Sequence, residues 1–262
     1  MINSQSLRAQ RSNLFVLSLF FIALTTTAQT NDFQSWTSLA LKSDLSDHWS
    51  AGAQVQLRMG DNSTYPSSVF FEPDLTYKVN KYLRLSGGYR FTFRMGNDRV
   101  NTTRHRYNLD VEGRKKFGKV TLKLRARFQK GFTDLIYNEN REPYSYPAYN
   151  RNKLALEFEV SKRVSPFVEF ELFLPLNDPR QRNFDRYRAT VGSSFNLKNN
   201  NALDCFFRVQ QELNTANPET LCVVGLGYSY DLALKKKTDK KDKKEGKKGK
   251  KGKPEDIGKE EK

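Results

Sequence analysis

Residues 49–59 read WSAGAQVQLRM, and apolar and polar side chains alternate through the whole stretch. Trp49, Val55 and Leu57 share one face, while Gln56 and Arg58 share the other. Strict alternation over a stretch of this length indicates a β-strand, because successive side chains of a strand point to opposite faces. The fold class therefore depends on how often the same pattern recurs along the chain.

The alternation recurs over most of the sequence. Besides 49–59, it predicts strands near 34–42, 68–79, 82–95, 104–112, 120–129, 150–160, 166–174, 184–195, 202–213 and 219–232. Strands of this length exceed those of most globular sheets and suit a tilted bilayer crossing. We predict an all-β fold, a closed antiparallel transmembrane β-barrel of about 10–12 strands. The segments number eleven, but single-chain bacterial barrels have even strand numbers, so we expect ten or twelve.

Alternation alone does not decide which face points outward, but the residue types do. The polar face is densely charged at mid-strand positions, whereas large aromatic side chains crowd the apolar face, many near strand ends where an interfacial girdle would lie. Long connections (60–67, 96–101, 133–149 and 175–183) alternate with tight ones, as in outer-membrane barrels. We therefore expect the apolar face to contact lipid. A soluble exported lipocalin-like barrel, with its apolar face inside, is the alternative.

The N-terminus carries the features of a secretory signal. The apolar run LFVLSLFFIAL at 14–24 follows Arg8 and Arg11 and precedes small residues that end at Ala28. It is too short for a spanning helix, which needs about 18–20 residues, and the mean hydropathy of −0.74 excludes a helical membrane protein. We assign 1–28 as signal peptide, 29–234 as barrel and 235–262 as a disordered tail.

The tail accounts for nearly half of the formal net charge of +16. Residues 235–262 contain 14 lysines and 7 acidic residues, with glycine and proline between them. This composition cannot form a core and is typical of a solvated, disordered segment. The tail is either simply solvated or binds a polyanion or anionic headgroups in the periplasm.

The polar face supplies the candidate functional residues. We predict that the lumen is lined by Arg58, Arg84, Arg90, Arg94, Arg104, Arg106, Arg125, Arg127, Glu157, Glu159, Glu169, Glu171, Arg186 and Arg188. Arginine–carboxylate networks filling a narrow barrel would explain these charges, since buried charges must be paired. A water-filled channel with an arginine-rich wall, which prefers anions, would explain them too. We favour the filled or narrow lumen.

Catalytic signatures are missing from the sequence. The only two histidines are His48, in a predicted turn, and His105, on the apolar face, which is unsuitable for a serine–histidine–acid site. Cys205 and Cys222 are about five residues out of register on one predicted hairpin, so we expect free thiols. We expect no enzyme, cofactor or metal site, and a lipid-modifying enzyme is the alternative. The aromatic-rich loop at 133–149 is a candidate for binding sugars or partners, or a plain lid.

Several blocks resemble the outer-membrane barrel family called domain of unknown function 2490, which is common in Bacteroidota. They are Trp36, YKVNKYLRLSGGYRF at 77–91, RHRYNLD at 104–110 and GLGYSYDL at 225–232. The resemblance implies a barrel in the outer membrane of a Gram-negative bacterium and carries no established activity. We expect a monomer in contact with outer-membrane lipid and with the barrel-assembly machinery. Its role would be that of a small non-enzymatic structural or binding barrel, or of a narrow channel.

Overall fold

The computed structural model describes residues 31–96, 101–133, 148–176 and 183–232. These residues form eleven strands joined into one closed sheet. The strands are β1 (Asn31–Asp44), β2 (Trp49–Gly60), β3 (Tyr65–Lys78), β4 (Leu83–Arg94), β5 (Thr102–Phe117), β6 (Val120–Thr133), β7 (Tyr149–Phe158), β8 (Val164–Pro175), β9 (Arg186–Asn196), β10 (Asn201–Glu212) and β11 (Thr220–Leu232). Each predicted segment corresponds to one strand, and the predicted closed all-β barrel is confirmed.

The expectation of an even strand number is wrong, because the barrel closes through a parallel pair. Consecutive strands pair antiparallel, whereas β1 and β11 run side by side in the same direction, with Trp36 opposite Gly225 and Leu39 opposite Tyr228. The first and last of eleven alternating strands necessarily point the same way. Closure of an odd barrel therefore requires one parallel seam.

All connections of seven or more residues lie at one end of the barrel, and only short turns join the strands at the other end. At the short-turn end, two to five residues join the strands, at 45–48, 79–82, 118–119, 159–163 and 197–200. The tightest of these turns has Gly118 at its first position with a φ of 58°, a conformation that favours glycine in two-residue hairpins. At the long-loop end, the connections are 61–64, 95–101, 134–148, 176–185 and 213–219. The first of these is shorter than the predicted 60–67 link, because β3 begins at Tyr65.

The outer surface of the barrel is apolar. Outward side chains near mid-strand include Leu39, Leu109 and Leu124, which are 61%, 63% and 54% exposed. Exposed aromatic residues lie towards the two ends. The long-loop end has Phe91, Phe93 and Tyr107, and the short-turn end has Trp49, Phe117, Phe158, Tyr228 and Tyr230. A ten-residue strand tilted by about 40° rises about 26 Å, which matches the apolar band of outer-membrane barrels.

The interior is polar, the inverse of a soluble lipocalin-like barrel. Buried inward side chains include Gln56, Glu72, Asp110, Arg151 and Glu171. A few apolar side chains lie among them, namely Trp36, Phe70, Ala155, Phe173 and Val223. Charge inside and apolar side chains outside are the arrangement that a bilayer requires of a spanning barrel.

The two cysteines lie on the β10–β11 hairpin and are both free thiols. Cys205 is opposite Leu226 and Cys222 is opposite Val209, so they are four residues out of register. At about 3.4 Å per residue this separates them by about 14 Å, twice the reach of a disulfide. Among the described residues, no helix is long and apolar enough to cross a membrane. The predicted signal peptide, the tail and most of the 133–149 loop lie outside the described residues.

Candidate functional site

Three large cavities follow one another along the barrel lumen. The central cavity of about 470 Å³ is lined by side chains from all eleven strands. A cavity of about 550 Å³ at the long-loop end, here the long-loop vestibule, is bounded by Gln34, Arg94, Arg104 and Arg186. A cavity of about 590 Å³ at the opposite end, the short-turn vestibule, is bounded by Lys42, Asp74, Arg84 and Asp231. The lumen is therefore a series of compartments.

Glu171 on β8 is the hub of the central cavity. Its carboxylate accepts hydrogen bonds from Arg125 and Arg151, both at 2.7 Å, and lies 3.7 Å from Arg188. Its side chain is only 7% exposed. One buried carboxylate thus binds guanidinium groups from three different strands, and the charge-assisted hydrogen bonds are strong in this setting.

Four further carboxylates form five ion pairs in the lumen. Asp110 receives two parallel hydrogen bonds from Arg127, at 2.6 and 2.7 Å. Glu72 pairs with both Arg90 and Arg106. Two lysine pairs complete the set, Lys123–Glu157 at 2.6 Å and Lys153–Glu169 at 2.7 Å. The partners lie on neighbouring strands or one strand apart, because strand register brings their side chains to the same height.

Several lumen arginines lie against aromatic rings. The Arg58 guanidinium carbon is 3.9 Å from the centre of the Trp36 ring and 5.0 Å from that of Phe70. The guanidinium carbon of Arg90, which also pairs with Glu72, is 3.5 Å from the centre of the Phe70 ring. Arg208 lies between Trp36 and the Phe206 ring, at 5.4 and 4.8 Å. Stacking on a ring face orients a guanidinium without neutralising its charge.

The balance of charge changes along the lumen. Among described lining residues, the short-turn vestibule has three basic residues and three carboxylates. The central cavity has ten basic residues and five carboxylates. The described lining of the long-loop vestibule has seven arginines and no carboxylate. Positive charge therefore accumulates towards the long-loop end.

The structure places thirteen of the fourteen predicted lumen residues on these cavities. Arg84 lines the short-turn vestibule. The others line the central cavity or the long-loop vestibule, namely Arg58, Arg90, Arg94, Arg104, Arg106, Arg125, Arg127, Glu157, Glu169, Glu171, Arg186 and Arg188.

Glu159 is the one predicted lumen residue that lies elsewhere. It lies just beyond the end of β7, where its carboxylate is 45% exposed and pairs with Lys116. The hydrogen bond from Lys116 lowers the pKa of this carboxyl group. Strand β7 and its alternation end at Phe158. Glu159 therefore does not point into the lumen as Glu157 does, although the two residues are two positions apart.

The inward aromatic residues were not predicted from the sequence, although a signal for them exists. Phe70 and Phe173 are each two residues from an inward glutamate, Glu72 and Glu171. Trp36 is likewise two residues from Ser38, which also lines the lumen. Residues two positions apart on a strand point to the same face of the sheet. An aromatic residue two positions from an inward polar one is therefore a candidate stacking partner for the lumen arginines.

The two histidines make different contacts in the described residues. His48 Nδ1 is 3.0 Å from the carbonyl oxygen of Lys78, in the short-turn region. His105 hydrogen-bonds to the Tyr89 hydroxyl and stacks on Phe132. Within residues 31–96, 101–133, 148–176 and 183–232, no group of three or more His, Cys, Asp or Glu residues is placed to hold a metal ion.

Two solved autotransporter domains are similar to this chain. The β domain of the Bordetella autotransporter BrkA has a TM-score of 0.43 and 11% identity, over 66% of this chain and 79% of that one. The translocator domain of the autotransporter NalP from Neisseria meningitidis has a TM-score of 0.45 and 13% identity, over 68% and 73%. No curated protein matches the sequence. The family model described as protein of unknown function, DUF2490, matches residues 33–221, and the chain therefore belongs to that family.

Proposed function

We propose that this protein is a non-enzymatic outer-membrane barrel with a side-chain-filled lumen, and that it acts as a binding or structural barrel rather than as an open pore. The observation that carries the proposal is a waist, formed by the six residues that line both the central cavity and the long-loop vestibule. They are Trp36, Arg58, Phe70, Arg90, Arg106 and Arg188.

Side chains from opposite walls face one another next to this waist. Arg58 on β2 and Arg151 on β7, five strands away around the barrel and so nearly opposite, line the same central cavity. Trp36 and Phe70, at the same level, are 3% and 2% exposed. An eleven-strand barrel lies between those with packed interiors and those with wide channels. Its long arginines and aromatic rings are large enough to fill the cross-section.

The proposed location follows from the apolar exterior and from the loop lengths. Outer-membrane barrels place short turns in the periplasm and long loops outside. Here β11 ends at the short-turn end, with Leu232, so the Lys-rich segment 235–262 would begin in the periplasm. There it could bind a periplasmic polyanion. The other proposed contacts are outer-membrane lipid and the barrel-assembly machinery, and the proposed state is a monomer.

A narrow anion-selective channel is the second candidate. The surplus of arginine over carboxylate at the waist favours it, since a basic ring attracts anions and repels cations. It differs from the first candidate in one measurable property, the conductance of the unaltered protein.

Planar-bilayer recording distinguishes the two candidates. We expect the full chain to show no steady conductance, because the waist is filled. The Trp36→Ala/Phe70→Ala double variant removes two buried rings, so it should show discrete, anion-preferring steps. Phe71→Ala, which removes the 47% exposed ring of the next residue on β3, should remain silent. Steady anion-selective conductance of the unaltered protein would establish the channel and overturn the filled lumen.

A further inference from the structure

We infer that the long-loop vestibule is a binding site for a multivalent oxyanion of small-molecule size, one that bears two or more phosphate or carboxylate groups. This inference deepens the proposed binding role, and it supplies the ligand class for that role. It rests on the arrangement of the arginines at the long-loop end of the lumen.

The charge of the vestibule is specific to that end of the barrel. Its described lining contains seven arginines and no carboxylate, whereas the short-turn vestibule has equal numbers of basic and acidic residues. A general excess of basic residues would affect both ends alike. The contrast indicates selection of positive charge at one end, where a positive cavity concentrates anions.

The vestibule arginines are held in place both by neutral groups and by carboxylates that lie outside the vestibule lining. Arg186 is 3.4 Å from Asp185 and 4.0 Å from Glu212, and Arg188 is 3.7 Å from Glu171. Arg58 stacks on Trp36 and donates one hydrogen bond, from Nε to Gln56 Oε1 at 3.0 Å. Arg188 donates from Nε to Gln210 Oε1 at 2.7 Å and lies 4.7 Å from the Phe173 ring centre. A guanidinium has five donors, and the described residues give Arg58 one acceptor, so in this part of the chain most of its donors are left for a ligand.

Other arginines of the vestibule also have unused donors. The buried Nε of Arg106 has no hydrogen-bond partner among the described residues. Arg106 and Arg90 share the single carboxylate of Glu72, and Arg94 is exposed on the vestibule wall. A buried donor without a partner is costly, and an oxyanion would satisfy it with a charge-assisted hydrogen bond.

The position of the arginines indicates more than one anionic group in the ligand. Arg58, Arg90 and Arg106 lie on β2, β4 and β5, while Arg186 and Arg188 lie on β9. A ligand that contacts both walls needs anionic groups at separate positions. The cavity volume of about 550 Å³ lies within the range of small-molecule sites, and guanidinium forks fit phosphate and carboxylate equally well.

The test is calorimetric titration of the folded full-length protein in detergent with sodium tripolyphosphate, citrate and inorganic phosphate. We expect saturable binding of tripolyphosphate, citrate or both, with an affinity at least about tenfold higher than that of monomeric phosphate. Whichever of tripolyphosphate and citrate binds more tightly shows whether the site prefers phosphate or carboxylate groups.

Matched arginine variants locate the site. Arg58→Gln should weaken binding at least about tenfold, the effect expected of losing one charge-assisted contact. Arg84→Gln makes the same change in the short-turn vestibule and should alter the affinity less than twofold. Both variants carry the same Lys-rich tail, so anion binding to the tail does not contribute to the difference between them. If Arg58→Gln does not fold, the exposed Arg94→Gln serves in its place, with an expected loss of at least about threefold.

Two outcomes would overturn the inference. One is the absence of saturable binding by both multivalent anions. The other is an equal loss of affinity in the long-loop and short-turn variants. Each outcome is independent of the conductance experiment. A barrel that shows no conductance and binds no anion refutes only the anion site. A barrel that conducts and also binds the anion refutes only the filled lumen.

Discussion

Glu171→Gln is expected to destabilise the folded barrel by about 3–5 kcal/mol, the usual cost of removing one partner from a buried ion pair. The substitution preserves the shape of the side chain and removes only its charge. Arg125, Arg151 and Arg188 would then lose the carboxylate that they share, at a position where its side chain is only 7% exposed. Urea unfolding of the protein in lipid vesicles, followed by tryptophan fluorescence, measures the change.

Glu159→Gln is the matched control for this experiment. It breaks an ion pair of similar chemistry, with Lys116, in which both side chains are about half exposed. Exposed pairs contribute little to stability, so the unfolding midpoint should hardly move. Equal effects of the two substitutions would show that Glu171 is not buried in a charge network and would contradict the closed lumen described above.

Leu109→Arg is expected to destabilise the protein in lipid by about 2–4 kcal/mol, the cost of an arginine on the lipid face near the bilayer midplane. Leu109 lies near the middle of β5 and is 63% exposed, with Gly87 and Phe128 opposite on the neighbouring strands. On a soluble protein, a leucine this exposed tolerates replacement by arginine almost without cost. The size of the destabilisation therefore shows whether the outer surface of the barrel contacts lipid or water.

Leu45→Arg makes the same change outside the apolar band. Leu45 lies in the β1–β2 turn and is 56% exposed, so its replacement should change stability by no more than about 0.5 kcal/mol. A destabilisation confined to Leu109 supports a lipid-facing surface. Tolerance of arginine at both positions would contradict it.

Period-two alternation predicted all eleven strands, and the residue types on its two faces predicted the outward face, because both depend on local sequence. Leu109 and Arg106 are three positions apart on one strand, and an odd separation alone assigns two residues to opposite faces. The position of Glu159 was wrong for the same local reason, since alternation does not indicate where a strand ends.

The parallel seam and the ion-pair network could not be read from alternation. Pairing of β1 with β11 joins residues nearly two hundred positions apart, such as Trp36 and Gly225, and no local pattern specifies it. The partners of Glu171 come from β6, β7 and β9, and strand register alone sets their common height. The accumulation of arginine at one end likewise appears only when the strand ends are brought together.

Heat-modifiable gel migration of the protein from isolated outer membranes shows whether the eleven strands form a closed barrel that spans the membrane. Closed outer-membrane barrels resist unfolding by detergent without heat. We expect recovery in the outer-membrane fraction and an unboiled band that migrates differently from the boiled one. Recovery as a soluble periplasmic protein, with one band under both conditions, would contradict it.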